Sequence, residues 1–546
     1  MEQTRRESLD RLAHDRFDVL VIGGGITGAG VARDAAMRGL RVALVEQNDF
    51  ASGTSSRSSR LVHGGVRYLE YGQLGLVFES SRERRTLLGI APHLVRPLPF
   101  VWPVYRGARV ARWKLAAAMT LYDALSLFRN VGRHERLTPR GVLAREPRLR
   151  SVRLTGGARY WDAATDDARL TLATVRSAQQ SGAVVVNHAR VVALLRDGDR
   201  ITGARVLDDV QGGFTEVRAD IVVNATGPWS DRVEALAHPA ATSGVRGSKG
   251  VHVSVPRSRI GNAFAITLLA PQDGRVMFVL PSGAFTIIGT TDTFDDVSPD
   301  EVRASETDVA YLLSAANHYF PEAELTTPDV VSAWAGLRPL AIHSRSGGTS
   351  EPGRASREHA IVQTAPGLVR VTGGKLTTYR SMACAVVDVV ERALGIRPTR
   401  CRTALELLPG GGLGDVGAEI ERATRTIGDG VVAERLVHAH GSEWGDVWSV
   451  AEREPALRER VSPERPYLMA ELRYAVTHEH AFTLGDLLIR RTPIAFETTD
   501  HGREAARRAA PQVAAWLGWS LEETRAALDA YDVEAARMFT VERSPS

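Results

Sequence analysis

The chain has 546 residues, 44% hydrophobic and 24% charged, which excludes a disordered or fibrous chain and leaves room for several domains. Its 68 basic and 64 acidic residues are interspersed and give a net charge of +4. A nucleic-acid binder would gather its positive charge in a stripe, so no nucleic-acid partner is expected. Two cysteines are too few for a disulfide framework, residues 1–16 lack the apolar core of a secretion signal, and no run reaches the ~20 apolar residues of a membrane span. A cytoplasmic chain is therefore expected. Only Lys114, Lys249 and Lys375 among the 68 basic residues are lysine, which marks them as places where a compact ammonium is worth examining.

Residues 17–22 (FDVLVI) form the continuous apolar run of a buried parallel strand. They lead into Gly23, Gly25 and Gly28 in G-x-G-x-x-G spacing, a helix ending near Gly39, and a second strand at 42–45 that stops at Glu46. Such glycines let a pyrophosphate approach backbone N–H groups at a helix N-terminus, and the acid after the second strand can accept from both ribose hydroxyls. Glu46 also disfavours a 2′-phosphate. This unit serves FAD or NAD equally. The next segment, 51–68, is rich in Ser and Gly and offers Thr54, Ser55, Ser59, Arg60 and Leu61 for an extended flavin cofactor, where an NAD domain would continue with another β–α unit.

Residues 189–196, 201–207 and 214–223 read as a meander with DG and GG turns. Its last strand closes on Ala225-Thr226-Gly227, a second cofactor contact. Alternating strands at 251–255, 276–280 and 285–289 predict an antiparallel sheet roofing the cofactor. After a strand at 369–371, Gly373, Gly374, Lys375, Leu376 and Thr377 open a helix running to about 394, whose N-terminus would face the flavin edge that becomes negative on reduction. The fold class expected is α/β: a Rossmann-type FAD-binding domain with an antiparallel substrate sheet (1–400) and a C-terminal α-helical cap domain (401–546).

VIGGGITGAG (21–30), LVHGGVRYLE (61–70), DDARL (166–170), NATGPW (224–229), KGVHVSVP (249–256), IIGTTD (287–292), GLRPL (336–340) and GGKLTTYR (373–380) together resemble the FAD-dependent glycerol-3-phosphate dehydrogenases, in order from about 17 to 382. The resemblance implies non-covalent FAD and oxidation of sn-glycerol 3-phosphate to dihydroxyacetone phosphate, with hydride passing to flavin N5. Lacking the insertion expected of oxygen-using oxidases, the chain is expected to use a membrane quinone. The alternatives are a glycerol-3-phosphate oxidase or a non-catalytic flavin-binding protein. No EF-hand loop is evident, and Arg60 stands where the family often has Lys. Arg67, Tyr68, Lys375 and Arg357 suit a phosphate dianion. The family motifs place His252 and Arg338 at the reacting carbon, with His252 the better base because an ordinary imidazole titrates near ~6.5. Arg338 would stabilise the alkoxide, and His63 is the competing base or a flavin contact.

A quinone reductase must meet the membrane, and residues 100–133 are the candidate. Val110, Trp113, Ala117, Leu121, Ala124 and Phe128 make an apolar stripe within a basic stretch that has Asp123 as its one acid, and the aromatics of 100–105 would sit at headgroup level. A peripheral protein on the inner, anionic face of the cell membrane is expected. A homodimer is left open. His478-Glu479-His480 lacks metalloprotease spacing, and Arg490-Arg491 reads as a helix-end or interface pair rather than a site.

Overall fold

A computed structural model describes residues 5–66, 72–126, 131–238, 244–294, 297–341 and 359–543. Arg67, Tyr68, Arg357 and Phe128 lie outside the described residues.

Among these residues, the first sheet has eight strands. Leu368–Thr372, Phe214–Asn224, Arg16–Ile22, Val42–Val45 and Val184–Val186 lie side by side and parallel. Ala360–Ala365 pairs antiparallel at one edge, and the meander strands Ala189–Asp197 and Arg200–Asp208 extend from Phe214–Asn224. The strand Arg16–Ile22 is apolar throughout its inner part because both its faces are covered. Val19 and Val21 pack under helices Ile26–Met37, Asp167–Gln180 and Tyr379–Ala393, while Leu20 and Ile22 pack with the meander and Leu12.

The second sheet has ten strands among the described residues, antiparallel except where Ala265–Leu269 runs parallel to Val95–Tyr105. The expected antiparallel roof is thus mixed at one pair. Its strands Val245–Pro256 and Ser332–Ala341 set His252 opposite Trp334, Gly250 opposite Gly336 and Ser248 opposite Arg338. Helix Glu306–Tyr319, started by a capping box between Ser305 and Asp308, buries its apolar side against this sheet.

Helices from Val416–Ile427 to Leu521–Phe539 form the C-terminal part. Buried ion pairs lock it to the first sheet. Arg169 of the DDARL motif grips Glu479 at 2.7 and 2.8 Å and the Ala439 carbonyl, while Arg490 and Arg491 both hold Asp49, at 2.6 and 2.7 Å. The interface reading of Arg490-Arg491 therefore stands, and Glu479 of the His-Glu-His stretch is an arginine partner.

The proposed amphipathic segment needs correction. Among its described residues only Arg112–Leu125 is helical, and Arg106 and Arg109 precede it. Phe100, Trp102 and Tyr105 are buried in strand Val95–Tyr105 and so lie away from any headgroup layer; Phe100 stacks on Tyr160. The acid of the segment, Asp123, is buried and accepts from His134 Nδ1 at 2.7 Å.

Candidate functional site

A cavity of about 520 Å³ is lined from both sheets. At one end, strand Arg16–Ile22 delivers Gly23 and Gly25 to the start of helix Ile26–Met37, which has no side-chain cap of its own. Ser55, from the Ser/Gly segment, accepts from the Ile26 N–H at 3.0 Å and so fixes the helix start from outside. A Cβ on Gly23 would meet the Ala225 carbonyl oxygen at 2.7 Å, and one on Gly28 would lie 1.9 Å from the Gly23 oxygen. Gly28 thus works by close packing below the cavity, as Gly23 and Gly25 work at its wall. Glu46 accepts from Gly24 N at 2.6 Å and Asn48 N at 2.9 Å, which pins its carboxylate at the cavity edge with lone pairs to spare. Burial pushes its pKa up, opposed by those two N–H groups.

Ala225 and Gly227 line the same end. From the other side come Gly373 and Gly374, both at positive φ (+78° and +90°), followed by Lys375 and Leu376 at the cavity wall. Thr377 also lines it and ties down His63, accepting from the His63 N–H at 3.1 Å and donating to its carbonyl at 3.2 Å. The His63 ring lies 6.5 Å from that of Phe278.

The far end is made of side chains from the second sheet. His252 is buried, accepts or donates at Nε2 to Ser59 Oγ (2.8 Å), and lies parallel to the Trp334 ring at 5.4 Å. A Cβ on Gly289 would strike its ring at 2.3 Å. Arg338 reaches Asp292 at 3.2 Å and Thr290 Oγ1 at 3.0 Å and lies across Gly250, where any Cβ would meet its Nη2 at 2.3 Å. Asp292 is itself held by Ser248 Oγ at 2.5 Å. Gly250 thus makes room for Arg338 and Gly289 for His252, while Thr290 and Asp292 of IIGTTD hold Arg338 in place.

Two expectations change. Burial, with Arg338 and Arg60 nearby, drives the His252 pKa down to about 3, far from the ordinary imidazole value that favoured it as a base. Arg60 does not line the cavity. At φ +55° its guanidinium lies over the rings of Trp334 (5.7 Å) and Phe496 (4.6 Å), so it acts on His252 through the tryptophan layer and does not touch the cofactor space. Thr54 lines the cavity but donates its hydroxyl to the Leu337 carbonyl at 2.6 Å, while Leu61 stands at the wall on the short strand Leu61–Val62.

Several cavity residues were not anticipated. Arg57, Trp229 and Arg232 line it, and Asp292 positions Arg338. Asp162 accepts from the Gly64 N–H at 2.9 Å and from Tyr122 Oη at 2.6 Å, with Arg84 on the same oxygen, and so anchors the turn after His63. Of these, Asp292 within IIGTTD and Trp229 at the end of NATGPW carried a signal in the sequence.

The comparisons with known proteins agree with this layout. The family described as "FAD dependent oxidoreductase" matches residues 18–380, and "C-terminal domain of alpha-glycerophosphate oxidase" matches 401–524. A glycerol-3-phosphate dehydrogenase of Mycobacterium leprae is 42% identical over 531 residues, 95% of this chain and 88% of that one. The chain belongs to the FAD-dependent glycerol-3-phosphate dehydrogenase family. An aerobic glycerol-3-phosphate dehydrogenase of Staphylococcus saprophyticus is 34% identical over 89% of each chain. The crystal structure of the Bacillus halodurans glycerol-3-phosphate dehydrogenase complexed with FAD superposes with a TM-score of 0.81 at 32% identity, covering 98% of this chain and 99% of that one. The family's FAD fits the residues present. The helix N-terminus at Gly25, which has no side chain of its own in the way, suits a pyrophosphate, Glu46 a ribose, and the glycine pair at 373–374 leaves backbone close to the flavin end of the cavity.

Proposed function

We propose that this dehydrogenase oxidises sn-glycerol 3-phosphate to dihydroxyacetone phosphate and passes the electrons to a membrane quinone. The observation that carries the reading is the convergence of His252, Arg338 and Lys375 on the cavity that also holds the dinucleotide cradle. Bound FAD supplies the two-electron acceptor for the hydride from C2. Lys375 attracts the substrate phosphate, and the family pattern adds Arg67, Tyr68 and Arg357 to it. Arg338, kept in place by Asp292 and Thr290, presents positive charge to the C2 oxygen. His252 is neutral at working pH and offers an imidazole nitrogen to the C2 hydroxyl proton. The substrate dianion offsets the positive charge of Arg338 and Arg60, and so raises the His252 proton affinity only once substrate is bound.

Helix Arg112–Leu125 supports peripheral attachment to an anionic membrane face. Its Leu115, Met119 and Tyr122 side enters the core, leaving Trp113 (70% exposed), Ala117, Leu121 (40%) and Ala124 on the outer side beside Arg112 and Lys114. Leu74 and Phe78 of the neighbouring helix Leu74–Ile90 are exposed too. No helix of the described residues is long and apolar enough to cross a membrane. The matching C-terminal family is named for an oxidase, which keeps dioxygen as a second acceptor to test through peroxide yield.

The deciding experiment is anaerobic addition of glycerol 3-phosphate to the purified flavoprotein. Bleaching of the flavin absorbance is expected, and an unchanged spectrum at millimolar substrate removes the reading. Sedimentation with vesicles tests attachment: Trp113→Glu with Leu121→Glu should abolish binding to anionic vesicles, and undiminished binding removes the helix from the role.

A further inference from the structure

The two cysteines of the chain are brought together far from the cavity mouth. Cys384 sits on helix Tyr379–Ala393, whose N-terminal turn carries Lys375 and Thr377, and Cys401 begins the stretch that leads into the C-terminal helices. Their sulfurs and a carboxylate oxygen of Asp34, on the glycine-loop helix, all lie within 4.8 Å of one another. Both thiols are half-buried, within reach of a small oxidant.

Three ligand-type atoms this close would also suit a metal ion, but each sulfur already accepts from a guanidinium. Arg38 Nη2 donates to Cys384 Sγ at 3.4 Å and Arg380 Nη1 to Cys401 Sγ at 3.6 Å, so two guanidinium groups already face the sulfurs. Both guanidinium groups are also paired with carboxylates, Arg38 with Asp34, Asp388 and Glu391 and Arg380 with Glu83, so it is their direct hydrogen bonds to sulfur that favour a thiolate. The two thiols are also unequal. The neighbouring Cys384 thiol and the Thr403 hydroxyl draw the Cys401 pKa down, and the Cys384 pKa rises in return. Thr403 Oγ1 is 3.1 Å from Cys401 Sγ.

We propose that Cys384 and Cys401 form a peroxide-responsive dithiol that closes reversibly to a disulfide, tying the helix behind the cofactor site to the start of the C-terminal part. The Cys401 thiolate attacks one oxygen of hydrogen peroxide. The O–O bond breaks, Cys401 becomes a sulfenic acid, and the departing hydroxide takes a proton to leave as water. The Cys384 sulfur then attacks the Cys401 sulfur. The S–O bond breaks, the S–S bond forms, and the Cys384 proton leaves with the oxygen as a second water. One peroxide is reduced by two electrons and the thiol pair is oxidised by two. The bridge closes the loop 384–401 beside contacts that already fasten this crossing: buried Arg33 donates to the carbonyls of Thr403 and Glu406, and Arg38 to that of Thr399.

The test uses the reduced holoenzyme, titrated with hydrogen peroxide and read by thiol count with Ellman's reagent and by non-reducing peptide mass mapping. One equivalent of peroxide is expected to remove both thiols together, yield a linked Cys384–Cys401 peptide, and be reversed by dithiothreitol. Cys401→Ser should slow thiol loss at Cys384 by about tenfold or more, since the acidified nucleophile is gone. Cys384→Ser should stop at a Cys401 sulfenic acid that dimedone traps. Sulfinic acids without a linked peptide, no thiol loss, or a bridge between two chains each overturn the proposal. So does stoichiometric zinc that shields both thiols of the reduced wild type from Ellman's reagent. Substrate-driven flavin bleaching is read separately, so failure of the dehydrogenase reading leaves this result interpretable.

Discussion

The two ends of the cavity are built from different materials. At the dinucleotide end the working groups are backbone: the uncapped turn at Gly25, the N–H groups pinned by Glu46 and Ser55, and glycines packed against carbonyl oxygens. At the far end they are side chains, with His252, Arg338 and Asp292 held by Ser59, Thr290, Ser248 and the Trp334 ring. A backbone cradle fails as a whole when one atom intrudes, whereas a side-chain site can lose a member and still keep its shape and its cofactor. Substitutions at the two ends should therefore separate cofactor retention from turnover.

The largest effect is expected at Gly28. An alanine Cβ there would lie 1.9 Å from the Gly23 carbonyl oxygen and 3.3 Å from Val21 Cγ1, so either the helix or the glycine loop must shift. Overpacking costs about 1–3 kcal/mol, and more where backbone must move, as it must here. Gly28→Ala should be purified with flavin absorbance at background level relative to protein; a wild-type flavin-to-protein ratio would show that the cradle tolerates a Cβ.

His252→Gln breaks the other end. It should retain FAD yet slow substrate-driven flavin reduction by about 10²–10⁴-fold, the span of a lost general base. The wild-type pH profile sharpens the assignment. With its pKa held down to about 3 by burial, Arg338 and Arg60, the free-enzyme imidazole stays unprotonated as the pH falls from 8 to 5, so kcat/KM should show no decline from this group in that window. A break near 6.5 that vanishes in His252→Gln would show instead that the ring titrates as an ordinary histidine. The sign for stability is the reverse of a paired histidine. The unfolded chain takes up the proton first, so the fold loses stability as pH drops from about 6.5 toward 3, and the substitution removes that component.

The difference in material also explains what could be read from the sequence. Backbone sites impose strict local grammar, and the strand, glycines, helix and terminal acid at 16–46 are found where their pattern placed them. The meander at 189–224 and the glycine pair before helix Tyr379–Ala393 are legible for the same reason. A side-chain site depends on strand register across long separations. The pairing that sets His252 beside Trp334 joins residues 82 positions apart, and no local pattern announces it. The guanidinium of Arg60 lies over Trp334 and Phe496, and the His252 pKa departs from the ordinary value because burial is a property of the sheet; neither shows in the local sequence. Likewise, the aromatics of 100–105 pattern like an interfacial belt and are in fact core, since a strand between two covered faces has the same composition.

The smallest effect is expected from a comparison of two lysines, which tests whether scarcity of lysine marks function. Lys249 Nζ meets Asp308 Oδ2 at 3.1 Å, on the helix that backs the second sheet, and it does not line the cavity. A contact of this kind to a point charge accepts a guanidinium, so Lys249→Arg should leave KM unchanged. Lys375 lines the cavity, and its removal takes away a charge-assisted contact worth about 1.5–3 kcal/mol, or roughly 10- to 150-fold in substrate affinity. Lys375→Ala should therefore raise KM by about that factor with flavin content near wild type. Parallel loss of flavin would move Lys375 from the substrate side of the cavity to the cofactor side, and the boundary between the two materials would then run through Lys375 itself. If Lys249→Arg instead raised KM as Lys375→Ala does, the ion pair with Asp308 would be transmitting strain along strand Val245–Pro256 to His252, three residues on, and the side-chain end would be less tolerant than its architecture implies.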